Sequence, residues 1–161
     1  MALKIIEGSV EEIGPATALP DDGGASWEFV RFSRGRKKPV TLRNVMADPK
    51  VGSRIHHGQM GKFAFYSHAG KFVLCGFAGS HGIEIVGLED DPAAISAAAI
   101  RTPAKRKVLL GFVMIPTIIG LFFGPGMIKD GYAVLRANPP PHRPGNKRLM
   151  RALKGELYWP F

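Results

Sequence analysis

One cysteine, Cys75, stands in the whole chain, so no internal disulfide is available and a small buried residue is its expected role. No secretory h-region follows Met1-Ala2-Leu3-Lys4. Glu7, Glu11 and Glu12 arrive too early, and the N-terminal domain is expected to stay in the compartment where it is made. No His or Cys spacing matches a zinc site: adjacent His56 and His57 would point to opposite faces of a strand, and His68, His81 and His142 stand apart. Gly76, Gly79 and Gly82 around Ser80-His81 precede a strand pattern rather than a helix, which favours a turn over a phosphate cradle. Ser80 beside His81 lacks the third orienting group of a nucleophile site. Asp21-Asp22 and Glu89-Asp90-Asp91 read as solvated loops rather than paired catalytic carboxylates. No catalytic residue, cofactor or metal site is therefore expected, and an enzyme is the least favoured class.

Charge is missing from one stretch in particular. Residues 108–128 carry none, and Thr117 is their only hydroxyl. As a helix, the stretch would cover about 31 Å, against a hydrocarbon core of ~30 Å. The expectation is one transmembrane α-helix from Val108 to Ile128. A re-entrant hairpin turning near Pro116 and a buried core helix are the alternatives. Pro116 should kink the helix, and Gly124-Pro125-Gly126 should end it early.

The charge that is present is unevenly placed. The chain carries a net +9, yet residues 1–90 hold 11 Lys and Arg against 10 Asp and Glu. The excess flanks the apolar stretch, with Lys105, Arg106 and Lys107 before it and Lys129, Arg136, Arg143, Lys147 and Arg148 after it. That distribution suits anionic lipid head groups better than a basic nucleic-acid-binding fold. Cations on both flanks cannot satisfy the positive-inside rule with a single span. The expected location is a membrane, taken as the bacterial inner membrane, with the N-terminal domain on the cytoplasmic side.

Residues 1–90 read as short strands between turns. Leu3 to Val10, Trp27 to Ser33, Val40 to Met46, Phe63 to Ser67, Lys71 to Phe77 and Ile83 to Val86 are rich in β-branched and aromatic residues. Pro20 to Gly24 and Ser33 to Lys38 carry the turn residues, with Gly35 supplying positive φ. Val40, Leu42, Asn44 and Met46 alternate with Thr41, Arg43 and Val45, the period of a strand. Six or seven strands in this length predict a mainly β domain, a small OB- or SH3-like barrel.

After it, 91–107 is expected to be a short helix and basic collar, opened by Asp91-Pro92 and ended or kinked at Pro103. Residues 129–161 form a basic tail with a Pro-rich spacer, Pro139-Pro140-Pro141 to Pro144-Gly145. Beyond the spacer, Leu149, Met150, Leu153 and Leu157 fall on one helical face, with Lys147, Arg148, Arg151 and Lys154 at the other positions. With Tyr158-Trp159 at its end, this predicts an amphipathic helix lying on lipid.

The expected lipid contacts are thus Lys105, Arg106, Lys107, Arg148, Arg151, Lys154 and Trp159. The expected contacts for a partner or for phosphate are Trp27, Arg34, Arg36, Lys37 and Lys38. The favoured function is a membrane-tethered, non-enzymatic module for protein interaction or complex organisation. The alternative is an OB-like module that binds nucleic acid or anionic head groups through the 34–38 loop, with aromatic stacking from Trp27 and Phe29.

Overall fold

The computed structural model describes residues 3–19, 24–87, 90–115 and 118–155. The chain divides into two compact units: residues 1–92 with 142–161, and residues 93–141.

The first unit is built on a mixed sheet of β1 (Leu3–Ile13), β2 (Ala16–Ala18), β3 (Ala25–Arg34), β4 (Lys37–Ala47), β5 (Met60–His68), β6 (Lys71–Gly79) and β7 (Gly82–Ile85). Five of these strands form a closed ring, in the order β1-β5-β6-β4-β3 and back to β1. Strand β1 makes closure possible because it serves two neighbours. Leu3 to Ser9 pairs with β5, and Ser9 to Ile13 pairs with β3 across a bulge between Val10 and Glu12. Every pairing is antiparallel except β4 with β6, where Val45, Met46 and Ala47 run alongside Phe72, Val73 and Leu74.

The interior is hydrophobic and largely aromatic. Phe32 and Phe63 lie with ring centroids 5.0 Å apart, and Phe63 and Phe77 also at 5.0 Å, among Ile6, Val30, Leu42, Val45 and Leu74. The tilted ring arrangement is the one that aromatic quadrupoles favour. One turn of helix, α1 (Pro49–Gly52), sits between β4 and β5. The Asp48 carboxylate accepts from the Lys50 backbone N–H at 2.8 Å to cap it, and Val51 and Ile55 enter the same core.

Strands β5 and β6 are buried on both faces. Phe63 and Phe65 on β5, and Leu74 and Phe77 on β6, face the interior. Between them on the other side Ala64, Tyr66, Val73 and Cys75 are also covered. Helix α4 (Asn146–Lys154) packs against β5, β6 and β7 and buries Leu149, Ala152 and Leu153; the Leu153 side chain reaches to Gly76. This overturns the lipid-surface reading of the helix. Its apolar face is amphipathic toward the chain's own sheet, while Arg148, Arg151 and Lys154 remain exposed on the far side. Trp159 lies outside the described residues.

The second unit is a pair of helices, α2 (Pro92–Met114) and α3 (Ile118–Ala137). The expected single transmembrane helix over 108–128 is not formed. Its uncharged residues are divided between the end of α2 and the start of α3, and among the described residues no helix is long and apolar enough to cross a bilayer. The single-pass architecture and the membrane localisation built on it are withdrawn with it. Hydropathy summed over a window cannot register that the window spans two elements. Helix α2 ends at Met114 and α3 begins at Ile118; residues 116 and 117 lie outside the described residues.

Two helix ends that the sequence suggests are not formed. Pro103 does not end α2, and Gly124-Pro125-Gly126 does not end α3; both prolines lie inside their helices. The two helices pack at glycines. A side chain on Gly111 would come within 2.8 Å of the Gly124 carbonyl oxygen, and one on Gly131 within 2.9 Å of the Ala104 carbonyl oxygen. Arg101, within α2, ties it to the C-terminal end of α3, donating to the Leu135 and Asn138 carbonyls at 3.2 and 2.5 Å. These contacts satisfy acceptors that the end of a helix leaves open.

If α4 is an integral layer of the first unit, Leu149→Ala should cost about 2–5 kcal/mol, as for other fully buried leucines. Chemical denaturation of the full chain measures this, and hydrogen exchange in β5 and β6 should rise with it.

Candidate functional site

The outward face of β3 and β4 is where charge, an aromatic ring and an unusual backbone come together. The stretch from 25 to 47 carries Arg31, Arg34, Arg36, Lys37, Lys38 and Arg43 against a single acid, Glu28. The near-neutral total for residues 1–90 conceals this polarity, because most of the acids lie elsewhere in the domain.

A strand should show alternate residues to each face. Here both strands break the rule at the same level. Phe32 and Val30 face inward, yet Glu28 and Phe29 both turn outward and Trp27 turns in. Opposite them Leu42 faces inward, Arg43 and Asn44 are both exposed, and Val45 is buried. The register itself does not slip: Trp27 pairs with Val45 and Phe29 with Arg43. At this level Asn44 has a φ of 54°, in the left-handed region. Asparagine tolerates that region better than most residues. The period-two reading of Val40 to Met46 therefore holds only as far as Arg43.

The reversal groups side chains that a regular strand would separate. Glu28, Phe29, Thr41 and Arg43 line one open depression of ≈ 340 Å³. Phe29 is half-buried because its ring rests on Gly14, where an added Cβ would fall 2.6 Å from Phe29 Cδ1. The Gly14 N–H also donates to the Phe29 carbonyl at 2.8 Å. Gly14 thus fixes the ring against the strand and leaves its other side to the depression.

The residues singled out from sequence fall in four groups. Trp27 is only 7% exposed and belongs to the core, so it presents no ring to a partner. Arg34 is half-buried, with its Nε enclosed. Arg36, Lys37 and Lys38 are exposed around the turn at Gly35, whose φ is 61°. Lys105, Arg106 and Lys107 are exposed on α2 in the other unit. Arg31 is committed to Glu11 and Glu12 on β1, at 3.2 and 3.9 Å. Arg43, Asn44 and Thr41 were missed; the signal available was Phe29 opposite a basic residue on a strand.

A second cluster of ionisable groups lies inside the first unit. Tyr66 donates to Asp91 Oδ1 at 2.6 Å, and Arg143 Nη1 stands 3.5 Å from Asp91 Oδ2, with side chains 2% and 1% exposed for Arg143 and Asp91. Arg143 also donates to the Gly87 carbonyl at 2.6 Å, to the Val86 carbonyl, and to Asn146 Oδ1 at 3.1 Å. Burial, with the bonded Asp91 carboxylate next, holds the Tyr66 hydroxyl far above its ordinary value. Burial also pushes the Cys75 thiol up to about 12, against the opposing pull of Arg143. Such shifts can mark reactive sites. Here every member is enclosed, and the cluster joins the point where the chain leaves the β unit to the point where it returns.

Compared with known proteins, the chain matches no family model, no curated protein and no solved structure.

The Cys75 shift has a consequence for stability. Unfolding frees a thiol that ionises near its ordinary value of about 8.5, while the folded thiol stays protonated. Stability should be unaffected below that pH and fall as pH rises toward 12. Cys75→Ala should flatten this decline between pH 8.5 and 10, below the range in which Tyr66 adds its own; denaturation midpoints across that range measure it.

Proposed function

We propose that the β unit is an OB-type module that binds single-stranded nucleic acid across the outward face of β3 and β4. A closed five-stranded ring in which β1 bridges β3 and β5, with β4 and β6 parallel and a short helix before β5, has the connectivity of an OB barrel. Such barrels bind oligonucleotides on the corresponding pair of strands. The observation that carries the reading is Phe29 and Arg43 side by side in one depression on that pair.

Each residue has a definite part. The Phe29 ring, seated on Gly14, offers its free side for a base to stack on, a contact that tolerates any base. Arg43 lies opposite, placed for the phosphate that follows. Arg36, Lys37 and Lys38 extend the positive surface to the hairpin tip and attract the backbone by charge alone. Arg31 contributes less, since Glu11 and Glu12 already neutralise it.

Fluorescence anisotropy with a short labelled single strand at low salt tests this. Phe29→Ala should weaken binding by about 1–3 kcal/mol. Replacing Lys37 and Lys38 with Ala should lower the salt dependence by about one unit of slope or more. No binding at low salt would remove the reading.

The helix pair supports a second reading, docking of a partner protein. Leu109, Leu110, Phe112, Val113 and Phe123 are all more than half exposed, which is unusual for side chains of this size. A purified partner that binds the full chain should be lost by Phe112→Ser with Val113→Ser, while oligonucleotide binding is retained. Retention of the partner by that variant would count against this surface.

A further inference from the structure

We infer that Glu28 makes the β3–β4 site selective for bases with an exocyclic amino group, cytosine over thymine; this rests on the single-strand reading above.

Glu28 is out of place on this face. It is the sole acid in a stretch of six basic residues, and a carboxylate beside a polyanion weakens attraction for the phosphates. Regular alternation would have turned its side chain inward, away from the face that Phe29 occupies. The reversal at Asn44 brings it instead to the rim of the depression that the Phe29 ring lines. Among the described residues no ion pair holds the Glu28 carboxylate, and neither of the nearby cations takes it up: Arg31 is engaged by Glu11 and Glu12, and Arg43 makes no salt bridge with it. Its two oxygens are acceptors with no donor assigned to them.

A base stacked on Phe29 would present its hydrogen-bonding edge to the neighbouring side chain on the same strand. Cytosine offers the N4 amino group, a donor that a carboxylate accepts well. Adenine and guanine also carry amino donors. Thymine and uracil place carbonyl oxygens on either side of a single N–H, so the carboxylate would meet acceptor lone pairs. Thr41, on the opposite strand, donates or accepts and takes no side. Stacking supplies affinity without sequence, and Glu28 adds the discrimination.

The test compares labelled oligo-dC and oligo-dT of equal length with the full chain at low salt, by fluorescence anisotropy. The two pyrimidines stack alike, which isolates the edge contact. Oligo-dC should bind about fivefold tighter or more. In Glu28→Gln the ratio should fall to about one, because an amide presents both donor and acceptor, and oligo-dT should bind no more weakly than to the wild type. Equal binding of the two by the wild type overturns the selectivity while leaving the single-strand reading standing. So does a preference that survives Glu28→Gln with an unchanged denaturation midpoint. Failure of both oligonucleotides to bind the wild type removes the reading itself, and the selectivity with it.

Discussion

The parallel contact between β4 and β6 is the constraint on which the β unit depends. Hairpins can assemble β3 with β4 and β5 with β6 locally, through the turns at Gly35 and at Ala69-Gly70. Neither hairpin encloses anything alone, and a two-stranded hairpin is marginal in water. Three rungs between Val45–Ala47 and Phe72–Leu74, together with β1 reaching both hairpins, convert the pieces into a ring with an interior. The aromatic cluster of Phe32, Phe63, Phe65 and Phe77 draws on both hairpins, so its burial exists only once the ring is closed. Long-range pairing of this kind is costly in chain entropy before it is rewarded, which ties the stability of the candidate site to the far side of the barrel.

The same closure explains why the outer face of β3 and β4 can be irregular. Both strands are held from inside by Val30, Phe32, Leu42 and Val45, which leaves room for a residue at positive φ between anchored neighbours. Backbone in that region costs of order 1–3 kcal/mol and persists when its surroundings fix it. The gain is a face on which four side chains converge instead of three.

Much of the β unit was readable from residue pattern alone, because turn residues and runs of aromatic and β-branched residues report local conformation. What the pattern could not carry is context. Trp27 reads as an exposed platform on composition, and only the parity reversal beside it turns it into the core. Asn44 fits an alternation by position while its dihedral breaks it. The apolar stretch from 108 to 128 reads by hydropathy as a single lipid span, yet Gly111 of α2 packs against Gly124 of α3, a pairing invisible to a sliding window. Pro103 reads as an end or a kink and Pro125 as part of an end, although a helix with neighbours can absorb a missing bond. The tail reads as a helix with an apolar face and forms one over Asn146–Lys154, but periodicity does not say what that face will meet.

The buried union of Asp91 and Arg143 gives the helix pair an unusual status. Asp91 is next to the residue where α2 begins, and Arg143 lies within the Pro-rich spacer that follows α3, so one ion pair marks both the departure and the return of the chain. The strands, α4 and both members of this ion pair all belong to the first unit. Residues 93–141 are therefore an excursion whose two ends are tied at one ion pair, and without that tie the β unit would have to close the same long loop through the packing of α4 alone.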